Sequence, residues 1–378
     1  MRVEFGIGKA SGTVAAPPSK SFAHRLLIAG ALRGERCCIR NVAFPDDILR
    51  TLDCLRALGF RFEKGEETVM FSGVREVPEG EITMPCGESG STLRFMVPVA
   101  LALGGKFRFT GTERLIARGI GGYGEMLKDQ GIVCEIGTGF ILLEGRLGPG
   151  EYHIDVTQSS QYLTGLLLAQ PIIPGESRIV TEGRMESRSY IDITEAAVGQ
   201  TTVEGDWSNA AFLEAFNLFG GKVKVTGLNP DSVQGDRRCL DFFAALKEGF
   251  ATIDISENID LGPVLFAVAA LLHGAEITGT RRLALKESDR VSAMLEELSA
   301  FGVRYSRDNN SVTIYESPLH APGRPLYGHN DHRIVMALAL PLSLFGGRIE
   351  GAEAVRKSFP DFFETLGKIG IKTKIHAD

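Results

Sequence analysis

Arg25, Arg94 and Arg333 each fall inside a run that is otherwise almost wholly apolar: SFAHRLLIAGAL, STLRFMVPVALAL and DHRIVMALALPLSLF. A guanidinium buried in such a helix needs a partner, either an internal carboxylate or an anionic ligand. Lys20 precedes Arg25 by about one and a half helical turns, so both can reach one end of the same helix. Arg118 and Lys357 add further cations, and Lys286, Glu287, Asp289 and Arg290 stand together at the head of an amphipathic pattern. Asp260 and Glu287 lie near helix starts. Each is able to cap a helix, or to act as a general acid or base where a neighbouring lysine and a dry cleft tune its pKa.

The predicted helix starts are small, polar or charged: Ser19-Lys20-Ser21, Glu88-Ser89-Gly90-Ser91-Thr92, Ser159-Ser160-Gln161, Ser208-Asn209, Asp260 and Asn330-Asp331-His332-Arg333. Helix N-termini present unpaired N–H groups and partial positive charge, which suits phosphates and carboxylates. Ser, Asn and Asp at these places also serve as plain N-caps. Capping accounts for each start taken alone, but not for the cations beside them.

One sequence grammar positions all of these groups. A polar start leads into an apolar helix, a Gly turn and a short alternating strand. An amphipathic helix and further strands follow. It begins at Ser19, Gly90, Ser160, Trp207, Asp260 and Asp331, six starts spaced roughly 50 to 70 residues apart, which means three repeats per half. The first helix of each repeat is apolar at nearly every position and should be buried on all sides. The second, with Met294, Leu295, Leu298 and Phe301, should bury one face. Two repeats are short: Tyr190 to Val203 has room for one helix at most, and Phe250 to Ser256 for almost nothing. The third and fourth repeats are therefore each expected to lack a strand or a helix.

The 378 residues are 44% hydrophobic with a net charge of −6, enough for two cored domains and without the basic surface that nucleic-acid binding requires. No apolar run is long enough to span a bilayer, and no signal or transit pattern opens the chain, so the expectation is a cytoplasmic protein with no membrane partner. The six cysteines match no zinc spacing and read as reduced, mostly buried thiols. No metal motif and no nucleotide-binding glycine pattern is present, and neither a metal nor a cofactor is expected.

The segments PPSKSFAHRLLIAGAL, GESGSTLRF, SSQYLTGLLLA, KESDR, NDHR and KSFPDFF, in that order from Pro17 to Phe363, resemble the 5-enolpyruvylshikimate-3-phosphate synthases. The resemblance implies a two-domain inside-out α/β barrel of six βαβαββ-type repeats, three per domain. It implies a C-terminal-type domain of residues 1–19 plus 206–378, an N-terminal-type domain of residues 20–205, and an active site in the interdomain cleft. It implies transfer of the enolpyruvyl group of phosphoenolpyruvate to the 5-hydroxyl of shikimate 3-phosphate by a monomeric enzyme without cofactor.

By the same resemblance, Lys20, Ser21, Arg25, Ser159, Ser160, Gln161 and Ser187 would contact shikimate 3-phosphate, with Tyr190 near its ring. Lys20, Gly90, Arg118, Gln161, Arg290, Arg333 and Lys357 would bind phosphoenolpyruvate. Asp260 and Lys286 would hold and deprotonate the attacking hydroxyl, and Glu287 would be the acid and base at the methylene carbon. Three positions depart from the family pattern: Glu88 stands where Asn is common, and Gly119 and Ser189 where Pro is common. The related UDP-N-acetylglucosamine enolpyruvyl transferases carry a reactive Cys in the loop before Arg118, which here reads GTERLIARG without one. A non-catalytic anion binder is the other alternative, and retention of Asp260, Lys286 and Glu287 argues against it.

Overall fold

The computed structural model describes residues 1–376. The chain divides into two compact units, one of Met1–Pro17 with Gly205–Asp378 and the other of Pro18–Glu204, and each has its own apolar core. The second repeat shows the building plan whole. Strand Glu81–Gly87 leads to helix Gly90–Leu103, and strand Gly105–Gly111 returns parallel to the first, pairing Ile82 with Phe107. Two parallel neighbours need a crossover connection, and the apolar helix is that crossover. Strands Val133–Gly137 and Phe140–Gly145 then close the sheet as an antiparallel hairpin. The fifth repeat repeats the plan with Ala251–Asp254, helix Gly262–Leu271, Gly274–Thr278, helix Arg290–Ser299, and the hairpin Arg304–Arg307 and Ser311–Tyr315.

Two repeats are completed by distant chain. Strand Arg2–Phe5 pairs antiparallel with both Gly347–Glu350 and Thr373–His376, so the first strand of the chain finishes the sixth repeat. Strand Ser11–Ala15 lies parallel to Lys222–Thr226 and begins the fourth. Within the other unit, Arg40 of the first repeat forms a parallel bridge with Thr202.

The third repeat keeps both helices, Gln161–Ala169 and Ser189–Ala197, and so does the fourth, with Trp207–Glu214 and Cys239–Glu248. Among the described residues neither has the antiparallel hairpin. The expected loss of one strand or one helix is thus corrected to the loss of a pair of strands, because the chain is soon pairing elsewhere: Thr202, five residues after the third repeat's second helix, bridges Arg40 of the first repeat, and Ala251, three residues after the fourth's, opens the fifth repeat's sheet.

The first helices are buried as their composition requires. Every residue of Gly262–Ala270 is buried, and so is every residue of His332–Ser343, Arg333 included. In Arg290–Ser299, by contrast, Ser292 and Glu296 face outward. Cys37, Cys54, Cys86 and Cys239 are buried, but Cys134 is exposed on the edge strand Val133–Gly137, where neither face is covered. Among the described residues no helix is long and apolar enough to cross a membrane.

Candidate active site

In the unit of residues 18–204, three helix N-termini are tied together by side chains. Ser19 accepts from the Phe22 amide and Ser89 from the Thr92 amide, so capping is real at both. Ser160 forms no side-chain cap hydrogen bond, and the Gln161 amide donates to Ser159 Oγ instead (3.2 Å). Lys20 Nζ lies 2.7 Å from Asp47 Oδ2, and the Asp47 carbonyl accepts from Thr92 Oγ1, which links the first helix to the second. Gln161 joins the second to the third: its Oε1 accepts from Arg94 Nη1 (2.7 Å) and its Nε2 donates to Ser91 Oγ (2.9 Å).

Arg25 is 2% exposed and has no carboxylate among its partners. It donates to Thr194 Oγ1 (2.8 Å), the Ser21 carbonyl (2.7 Å), Thr164 Oγ1 (3.2 Å) and the Tyr190 carbonyl (3.0 Å). Burial pushes this guanidinium down to about 9. Among the described residues its partners are thus hydroxyls and carbonyls, with the Phe95 ring 5.0 Å from its Cζ, and no internal carboxylate.

Gly90 begins its helix beside Arg118: a Cβ at position 90 would sit 3.1 Å from Arg118 Nη2. Gly119 ends the short helix Glu113–Arg118 at φ +59°, a conformation open to glycine and closed to proline. Ser187 is buried with φ +59° although it carries a side chain, and such strain costs about 1–3 kcal/mol and clusters at functional positions.

The other unit gathers the remaining predicted residues around one guanidinium. Arg290 is 1% exposed and meets three carboxylates: Nε with Asp331 Oδ2, Nη1 with Asp260 Oδ1 and Nη2 with Glu287 Oε2, each at 2.8 Å. Burial works against this charge, but Asp331, Glu287 and Asp260 outweigh it and hold the group above its ordinary value. Asp260 is also approached by Lys286 Nζ (3.2 Å) and Arg333 Nη2 (3.3 Å). Burial brings Lys286 down to about 8, with Asp260 opposing the shift. Arg333 thus has the internal carboxylate that Arg25 lacks. Lys357 Nζ donates to the Asn330 carbonyl (2.7 Å) at the head of the same helix that carries Arg333.

Asp47 and Asp331 were missed as site residues. Asp331 reads in the sequence as an N-cap, and it is one, accepting from the Arg333 amide at 2.9 Å, but its second role toward Arg290 and Ser288 Oγ is tertiary. Asp47 reads as first-turn acid of helix Asp46–Ala57, and nothing local indicates that it pairs with Lys20.

Each unit therefore offers cations at helix N-termini, and one adds carboxylates and a lysine that burial brings down to about 8. The family model for EPSP synthase (3-phosphoshikimate 1-carboxyvinyltransferase) matches residues 5–201 and 196–366. The 3-phosphoshikimate 1-carboxyvinyltransferase of Clostridium kluyveri is 34% identical over an alignment covering 96% of both chains. That of Methanoculleus marisnigri is 35% identical over 95% of this chain and 97% of its own. The structure of EPSP synthase from Acinetobacter baumannii superposes with a TM-score of 0.77, 22% identity and 99% coverage of both chains, a likeness of fold. The chain belongs to the EPSP synthase (3-phosphoshikimate 1-carboxyvinyltransferase) family.

Proposed function

We propose that this chain transfers the enolpyruvyl group of phosphoenolpyruvate to the 5-hydroxyl of shikimate 3-phosphate, releasing phosphate, in aromatic amino-acid biosynthesis. The observation that carries this is Lys286 at 3.2 Å from Asp260 beside Glu287, all within the cluster centred on Arg290. A simple anion binder gains nothing from three carboxylates among its cations, whereas an enzyme that moves two protons needs such groups.

The 5-hydroxyl is a weak nucleophile and needs a base. Asp260 is already engaged by Lys286, Arg290 and Arg333, which makes it a poor proton acceptor and a good anchor. Lys286, brought to about 8, matches the task better, so Lys286 accepts the proton while Asp260 orients the hydroxyl. Glu287 delivers a proton to carbon 3 of phosphoenolpyruvate, which makes carbon 2 electrophilic, and the hydroxyl oxygen bonds to it. In the second half the carbon 2–phosphate oxygen bond breaks, phosphate leaves, and Glu287 takes a proton back from carbon 3. Fixed cations stabilise the oxocarbenium-like centre's departing phosphate without reorganisation.

In this scheme Lys20, Gly90, Arg118, Gln161, Arg290, Arg333 and Lys357 serve phosphoenolpyruvate. Lys20, Ser21, Arg25, Ser159, Ser160, Gln161 and Ser187 serve shikimate 3-phosphate, with Tyr190 near the ring. Arg25 is the residue whose surroundings most favour its role, since its other partners are all neutral. The enzyme is taken as a cytoplasmic monomer that needs no cofactor. The test is phosphate release from phosphoenolpyruvate by the full chain with and without shikimate 3-phosphate, together with mass analysis of the product. Release that depends on shikimate 3-phosphate is expected. No release from well-folded protein, or release only with UDP-N-acetylglucosamine, overturns the assignment.

A further inference from the structure

Helix Arg290–Ser299 presents two grips on the turn that leads into helix His332–Phe345. Arg290 holds Asp331 at 2.8 Å. Seven residues later, and so on the same face two turns along, Glu297 Oε1 holds His329 Nε2 at 2.8 Å. Between these grips, His329 and Asn330 take φ of 49° and 51°, two consecutive left-handed residues, neither of them glycine. Such a conformation persists only where its surroundings over-determine it. Asn330 in turn offers its carbonyl to Lys357 Nζ.

Glu297 is 0% exposed, and its other oxygen accepts from Arg324 Nη1 at 2.7 Å. Glu296, Glu297 and His329 stand close enough for their ligand atoms to surround an ion. Both oxygens of Glu297 are already engaged, one by Arg324 and one by His329, and no metal is called for.

We infer that His329 is a positioning residue for the phosphoenolpyruvate anion site: by closing on Glu297 it holds the left-handed turn that aims the Asn330 carbonyl at Lys357 and sets Asp331 against Arg290. This rests on the function proposed above, in which Lys357 and Arg333 receive that anion. His329 touches no reacting atom in this scheme and acts through Lys357. The charged groups that face it are Glu297 and Glu296 from helix Arg290–Ser299 and Arg324 from the preceding loop. The hydrogen bond to Glu297 holds the imidazole above its ordinary range, against the effect of burial. The grip is therefore strongest while His329 is protonated against the Glu297 carboxylate, and it weakens as pH rises through that raised value.

The experiment compares three variants of the full chain. His329→Asn tolerates the left-handed backbone but is too short to reach Glu297. His329→Gly relaxes the backbone and has no side chain. His329→Gln retains reach and an N–H donor. In Asn and Gly the KM for phosphoenolpyruvate should rise about ten-fold, with kcat and the KM for shikimate 3-phosphate within about two-fold, and Gln should restore most of the loss. The rise of that KM with pH in the parent protein should flatten in all three. Calorimetry with inorganic phosphate alone reads the same site without turnover, and its Kd should weaken in Asn and Gly.

Equal phosphate Kd and equal KM in all three variants would overturn the inference. So would kinetic losses shared by both substrates in proportion to a lowered melting temperature. Failure of the functional assignment is seen separately, as absence of phosphate release in the parent protein, and in that case the phosphate Kd series still decides the role of His329.

Discussion

Asp331 does two jobs with one carboxylate: it caps the helix that carries Arg333, accepting the Arg333 amide at 2.9 Å, and it pairs with Arg290 Nε at 2.8 Å. Both side chains are essentially fully buried. Helix capping and charge pairing are thereby locked together. The two functions separate on substitution. Asp331→Asn keeps a good cap and removes the charge, and Arg290 then retains only Asp260 and Glu287. Breaking a buried ion pair costs about 3–5 kcal/mol, so denaturant titration should show a loss near the lower end of that range, about 3 kcal/mol. Turnover should fall about a hundred-fold, since Asp260 and Glu287 are then drawn further onto Arg290. Unchanged stability in Asp331→Asn would refute the pairing.

Lys286 should govern the pH profile. Its folded value of about 8 is below the ordinary lysine value of 10.5, so the charged form is disfavoured by folding. That cost is fully present below pH 8 and is relieved as pH rises from about 8 toward 10.5. If the neutral amine accepts the hydroxyl proton, kcat/KM rises with pH and levels above about 8. Lys286→Arg retains charge but cannot deprotonate. It should lose turnover about a thousand-fold or more and leave no rising limb. A profile in Lys286→Arg parallel to the parent would exclude the lysine as base.

Arg25 is buried among neutral oxygens, and its charge is uncompensated by any carboxylate partner. Arg25→Met removes that charge while filling much of the same volume. Melting temperature without ligand should be unchanged or higher, since the folded protein no longer bears a buried cation pushed down to about 9. The stabilisation by shikimate 3-phosphate should disappear, with its KM up about a hundred-fold. A large loss of stability without ligand would mean that the hydroxyl and carbonyl bonds alone justify Arg25.

Gly90→Ala adds a methyl 3.1 Å from Arg118 Nη2. The obstacle is the far end of a flexible side chain, so stability should change little. The guanidinium must shift by a few tenths of an ångström, and the KM for phosphoenolpyruvate should rise about ten-fold while that for shikimate 3-phosphate holds. Equal effects on both substrates would show that Gly90 matters to the helix start as a whole.

Much of this was legible in the residues, because the signals are local. Helix Gly262–Leu271 is buried on every face since nearly every residue in it is apolar, and Arg290–Ser299 buries one stripe since its apolar residues recur at three and four. The polar helix starts and the cations next to them were visible for the same reason. The third and fourth repeats were visibly short, but which elements they lacked was not: a count of residues does not say whether helix or hairpin was lost. Pairing of Arg2–Phe5 with Gly347–Glu350 lay beyond any window along the chain.

The sequence by itself determined the repeats, the buried helices, the cations at their starts and the family to which the chain belongs, because each of these is written in residue type and spacing along one segment. Only the tertiary structure decided who neutralises whom. Arg25 and Arg333 look alike in sequence, each a lone cation in an apolar helix. Arg333 meets the carboxylate of Asp260, whereas Arg25 meets hydroxyls, carbonyls and the face of the Phe95 ring. Charge partners come from elements far apart in the chain, and their distances are set by packing rather than by spacing. The same holds for Lys20 with Asp47 and for Glu297 with His329: each residue is plain in the sequence, and each pairing exists only once the helices are packed.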